Sequence, residues 1–253
     1  MADIEIYFDE FLSSQKSTYN YLSEKFQNDI EKFHRFFDLQ QRLFYNHLPG
    51  VSDPYYQLQE YERIVIQSYI KTTHLIFSVH ELILHGDYGT ARILMRQIFE
   101  YLILGKYVHT KKNNGIAEKW LDDKQFDVYD KIIRLLKKPD KKNFFEFWKL
   151  LSNQTHAGTN SFQIGVSPEL TYEDILVTYR MNLIFLCCKN RLLNSNFIND
   201  RLKYRSEKYG FKKSENQVIK NQLKMTEKEI LELFSDSGID VINDYKSKWE
   251  FKK

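Results

Sequence analysis

Two pairs of polar residues carry the chemistry this sequence has to offer. Arg96 and Glu100 lie one helical turn apart in a run otherwise built from Ile93, Leu94, Met95, Ile98, Phe99, Leu102, Ile103 and Leu104. A lone charge in such surroundings is costly to desolvate, so both groups must be paired or hydrogen-bonded. An arginine held this way presents a planar fork of donors that matches a phosphate, and a neighbouring glutamate either orients it or accepts a proton. Ser152 and His156 form the second pair. They are four residues apart at the end of the apolar run that holds Phe144, Phe145, Phe147, Trp148, Leu150 and Leu151, so on a helix they share a face. His156 supplies an acid or base near neutral pH. Since no third residue stands at a spacing that completes a Ser-His-acid arrangement, no hydrolase triad is expected.

Other chemistries lack their residues. His74, His80 and His85 have neither an HExxH pattern nor paired cysteines beside them, so no metal is expected. Neither GxxxxGK[ST] nor GxGxxG is present, and no cofactor is expected either. Cys187 and Cys188 are adjacent in an apolar run, which suits reduced core thiols rather than a disulfide. The 37 basic and 34 acidic residues leave a net charge of +3, so any cationic surface must be local. Arg201 to Lys213 is the one segment that interleaves basic and aromatic residues, as single-strand-binding surfaces do. A solvated helix face with rings packed inward has the same pattern.

Helices are what must position these groups. Only 9 Gly and 4 Pro punctuate 253 residues, too few for many short strands. Apolar residues spaced by three and four predict an N-terminal helix or pair of helices over 3–48, a buried helix from about Gln57 to Leu84, and another from Tyr88 to about His109. Between the last two, Gly86 suits a left-handed helix end and Asp87 a cap, which makes an αα-hairpin. Further helices are predicted over 126–136, over 141–155 and from Thr171 through Leu192, with a loop at 157–170. The predicted fold is all-α, a helical bundle around that central hairpin. Composition shifts after Asn194, dividing the chain into a bundle domain at 1–197 and a basic helical C-terminal extension at 198–253.

Arg96-x-x-x-Glu100 behind a glycine-marked turn, followed some distance on by Leu151-Ser152-x-x-x-His156, resembles an uncharacterised bacterial all-helical family that is itself distantly similar to the HEPN superfamily. The resemblance covers roughly 57–195. It implies a helical bundle, often dimeric, and a setting in toxin–antitoxin or phage-defence systems where many members cleave RNA. The superfamily's nuclease motif is an Arg, four to six intervening residues and then a His. Arg42 and His47 meet that spacing, with Leu43 where the motif prefers a polar residue, and His156 has no Arg at that distance.

Two functions follow as expectations. The first is an RNA- or nucleotide-directed enzyme in which Arg96 holds phosphate, Glu100 orients it or acts as base, and His156 with Ser152 supplies acid–base chemistry. The second is a non-catalytic module that dimerises or binds a partner, with Arg96, Glu100 and His156 forming a structural network. The absence of a signal pattern and of a long apolar stretch points to a cytoplasmic protein with no membrane partner.

Overall fold

A computed structural model describes residues 2–48, 57–112, 132–135, 172–210 and 217–235, together with a few isolated positions. The described residues contain helices and turns and no strand, so the chain is all-α. Its helices are α1 (Ala2–Lys25), α2 (Gln27–Tyr45), α3 (Glu60–Leu84), α4 (Tyr88–Lys111), α5 (Tyr172–Lys189), α6 (Ser195–Tyr209) and α7 (Gln217–Ser235). A 3-10 turn spans Ile133–Leu135 and a π-helical turn spans Asn190–Asn194. The predicted helix over 141–155, which carries Ser152, and the loop at 157–170 lie outside the described residues.

The α3–α4 hairpin is the most extensive helix pair among the described residues. Ile64, Val65, Tyr69, Ile76, Val79 and Ile83 of α3 meet Ala91, Met95, Ile98, Leu102, Ile103 and Val108 of α4, and all are buried. Each such side chain contributes roughly 1.5–3 kcal/mol when removed from water. The connection between the two helices is a Schellman turn. The Asp87 N–H donates to the Leu82 carbonyl at 2.8 Å and the Gly86 N–H to the Ile83 carbonyl at 3.0 Å. Gly86 takes φ +83°, and Asp87 then caps α4 by accepting from the Thr90 N–H at 3.1 Å.

Several boundaries differ from the sequence reading for local reasons. Of the two N-terminal arrangements that the sequence allows, the structure has the pair of helices, joined at Phe26, with backbone hydrogen bonds from Phe26 to Leu22 and from Ile30 to Phe26 running through the junction. Helix α3 starts at Glu60 rather than near Gln57, because Gln59 is extended and the Glu62 carboxylate accepts from its N–H at 2.9 Å. The helix predicted through Leu192 leaves α geometry after Lys189. The π turn at Asn190–Asn194 adds a residue to one turn, which keeps Leu192, Leu193, Phe197 and Ile198 in the same core as Leu183, Leu186 and Cys187.

Helix α5 lies against both members of the hairpin, and α7 packs on α2. Leu223, Thr226 and Ile230 form the buried stripe of α7, at helical spacing. The 197/198 division in composition falls within α6, whose Phe197, Ile198 and Leu202 are buried in the common core. Among the described residues no helix is long and apolar enough to cross a membrane.

Gly105 marks the closest approach of backbones. A Cβ there would lie 2.6 Å from Leu193 Cδ2 and 3.0 Å from Ser68 Cβ, so α4 meets both the π turn and α3 at that point. At Gly86 the constraint is dihedral as well as steric, since an added Cβ would also lie 3.3 Å from Thr18 Cγ2. The substitution Gly86→Ala is therefore expected to lower the unfolding free energy by about 1–2 kcal/mol, the cost of a left-handed alanine. Urea denaturation should show a lower midpoint with an unchanged m value.

Candidate functional site

Arg96 and Glu100 sit on α4, on the edge of its buried stripe. The Arg96 Nε donates to Glu100 Oε1 at 2.9 Å, and the two side chains keep 24% and 29% of their surface in solvent. That exposure decides between the arrangements open to them. The pair is not sealed in the core, and it is not a fully solvated surface pair. The contact is made through Nε, at the side of the guanidinium.

One turn earlier on the same stripe, Arg92 reaches across to α5. Its Nε and Nη2 donate to the Thr178 hydroxyl at 3.1 and 2.9 Å. Thr178 is buried, so this contact fixes where α5 sits along α4. The spacing 92, 96, 100 was open to inspection in the sequence, but the part Arg92 plays depends on a residue 86 positions away. His156 and Ser152 lie outside the described residues, so Arg96 and Glu100 are the predicted site residues with a described geometry.

The Arg42–His47 spacing does not assemble a site. Arg42 Nη2 pairs with Asp38 Oδ2 at 2.8 Å on the surface, whereas His47 is buried. Burial, reinforced by Arg205, Lys220 and Arg201, pushes the His47 imidazole down to about 4. The basic–aromatic segment is likewise divided between core and surface. Arg201 and Leu202 are buried, while Lys208 donates to the Tyr204 hydroxyl at 2.8 Å and lies over the Tyr204 and Tyr209 rings at 5.3 and 5.0 Å. Cys187 and Cys188 are free thiols in the core, and burial pushes Cys188 up to about 12.

The most strongly desolvated polar groups are ones the sequence did not flag. His80 stacks on Phe33 at 4.2 Å between ring centroids, and its Nδ1 is 3.0 Å from the Tyr179 hydroxyl. With Nδ1 accepting from that hydroxyl, the neutral ring is held in place, and burial with His34 alongside pushes it down to about 3. Lys189 is fully buried at the α5–π junction, with Nζ 4.0 Å above the Tyr69 ring and 5.3 Å from that of Phe37. Among the described residues its Nζ has no hydrogen-bond partner, and burial holds the amine well below the usual lysine range. No group of three or more His, Cys, Asp or Glu side chains among the described residues is placed to hold a metal ion.

These groups set the pH response of the fold. A histidine whose folded pKa is lowered binds more protons when unfolded, so stability is complete above the unfolded value of 6.5 and falls as pH drops through the window down to the folded values, about 4 for His47 and about 3 for His80. Lys189 works in the same sense at the alkaline end: its folded pKa lies below 10.5, so its contribution improves as pH rises toward 10.5. Lys189→Met removes a buried amine of similar length and is expected to stabilise the protein by about 1 kcal/mol or more at pH 7. Calorimetry should show a melting temperature raised by roughly 2–4 °C. A variant that melts lower would mean the amine has a partner that favours its buried state.

No protein-family model matches the chain, and no curated protein or solved structure matches it.

Proposed function

We propose that this protein acts on RNA or on a nucleotide, with the Arg96 guanidinium as the phosphate contact and Glu100 as the group that orients it or takes a proton. The observation that carries this reading is the partly exposed Arg96–Glu100 pair at the edge of the buried stripe of α4. A single ion pair at i, i+4 contributes only about 0.3–0.5 kcal/mol. Partial burial of two charges costs at least as much, and a guanidinium already ordered by a carboxylate suits an anion contact. In this reading His156 and Ser152 supply the acid–base chemistry, and a role in defence or in a toxin–antitoxin pair is the setting that a HEPN-like protein of this kind would have.

A second reading is favoured by a different observation. Val218 and Met225 are 63% and 64% exposed and lie two turns apart on one face of α7, and Tyr21 of α1 is 56% exposed. Apolar side chains in such positions suit a dimer contact or a helical partner. Under that reading the chain is a non-catalytic interaction module, and Arg96 and Glu100 serve only to orient the packing around α4.

The two readings separate on one set of measurements. Purified protein incubated with single-stranded RNA and with nucleoside triphosphates is expected to yield cleaved or modified products, and Arg96→Ala or His156→Ala to slow the reaction by about 10²–10⁴-fold. Far-UV circular dichroism should be unchanged in both variants. An inert protein that light scattering finds as a dimer, converted to monomer by Val218→Glu with Met225→Glu, would overturn the first reading in favour of the second.

A further inference from the structure

Helix α1 runs past the bundle that anchors it. Its held part is the C-terminal end. A Cβ on Gly86 would lie 3.3 Å from Thr18 Cγ2, the Tyr19 ring meets that of His85 with centroids 5.2 Å apart, and Leu22 and Phe26 are buried in the common core. From Asp9 to Asn20 the described side chains are exposed, apart from Gln15 and Thr18, which are partly covered. At 1.5 Å per residue, the part of α1 that precedes Thr18 forms an arm about 24 Å long.

The apolar stripe of α1 does not stop where its cover does. Counting back from Leu22 by threes and fours, the sequence passes through Tyr19, Gln15, Leu12, Phe8 and Ile4. Leu12 is 46% exposed and Tyr19 38%. A helix of this length is marginal when it stands alone in water, and it gains its stability by packing such a stripe against a neighbour.

The charges of the arm say which neighbour fits. Asp9 and Lys16 are both exposed, and their spacing of seven puts them on the same flank of the stripe. Lys16 has no acidic residue three or four positions away and Asp9 no basic one, so neither charge is met at those spacings within α1. A two-fold axis beside Leu12 reverses one helix against the other and brings like flank to like flank, so that Asp9 of each copy faces Lys16 of the other. Parallel helices would instead set the charged flank against the uncharged one that holds Ser14 and Thr18. They would also place the acidic N-terminal halves, with Asp3, Glu5, Asp9 and Glu10, side by side.

We infer that α1 pairs with α1 of a second copy of this chain, antiparallel about Leu12, with Asp9 and Lys16 meeting twice across the axis. The contact is separate from Arg96 and from the Val218 and Met225 face of α7, and it does not depend on what either of them does.

Sedimentation equilibrium on the full chain tests it. The wild type is expected to be a dimer at roughly 10–100 μM, and Leu12→Glu a monomer with an unchanged melting temperature. Lys16→Glu and Asp9→Lys should each weaken association roughly tenfold, and the two together should restore it. Residues seven apart on one helix do not touch, so that rescue has to come from a second chain. Leu12→Cys should join two chains on oxidation with diamide, since Cys187 and Cys188 are buried. Val218→Glu with Met225→Glu should leave the dimer intact, which keeps this contact apart from the one on α7. The inference is overturned if the wild type is monomeric at these concentrations, as it would be were the arm made for another protein or for lipid. It is overturned equally if the α7 variant rather than Leu12→Glu splits the dimer, or if the charge swap fails to restore it.

Discussion

The burial of α3 against α4 is the contact on which the rest of the molecule depends. Both helices are apolar around much of their circumference, so neither is stable in water alone, and short helices in general take most of their stability from packing. The Schellman turn at Gly86 and the Asp87 cap bring them together with the Leu82 and Ile83 carbonyls and the Thr90 N–H already satisfied. Once paired, the two helices present a surface on which α5 can lie, and α5 in turn brings the π turn and α6 into place. The partly exposed setting of Arg96 and Glu100 follows from the same arrangement, since they occupy the edge of the α4 stripe rather than its centre.

Apolar burial alone would let α5 slide along this surface. Polar contacts set its register. The Gln40 amide of α2 donates to the Leu186 carbonyl at 2.9 Å, and the Asn182 amide of α5 donates to the Ile76 carbonyl at 3.1 Å. The Tyr179 hydroxyl meets His80, and Arg92 meets Thr178. Each of these groups is costly to bury unpaired, by about 1–3 kcal/mol, so a displaced α5 would lose several contacts together. Asp29 adds to this zone: burial raises its carboxyl pKa, with Arg180 of α5 pulling the other way.

Charge is distributed along α4 in two places with different characters. The Arg96–Glu100 pair is intrahelical and formally neutral, and its neighbourhood is bounded by α5 through Arg92. At the helix end, His109 is tied through Asp200 to another helix altogether, and the cations that oppose its protonation, Lys106 and Lys112, are its own neighbours along the chain. Along exposed faces opposite charges are paired within single helices, Glu207 with Lys203 and Glu232 with Lys228.

The sequence by itself determined the helices, the hairpin and its turn chemistry, because these rest on local patterns: apolar spacing, one glycine able to take a left-handed conformation and one aspartate able to cap. It also singled out Arg96 and Glu100, since two charges in an apolar run are visible without any fold. Only the tertiary structure decided that they are partly exposed, that Arg42 pairs with Asp38 on the surface while His47 is buried, and that His80, Lys189 and Arg201 are buried. The spacing of a helix says which residues share a face but not which neighbour that face will meet. Contacts such as His109 with Asp200, 91 residues apart, or Tyr179 with His80, 99 apart, have no local signature. The π turn was hidden for a related reason: its five residues satisfy an α-helical pattern, and what selects the wider turn is the packing of Leu193 against Gly105 on a different helix.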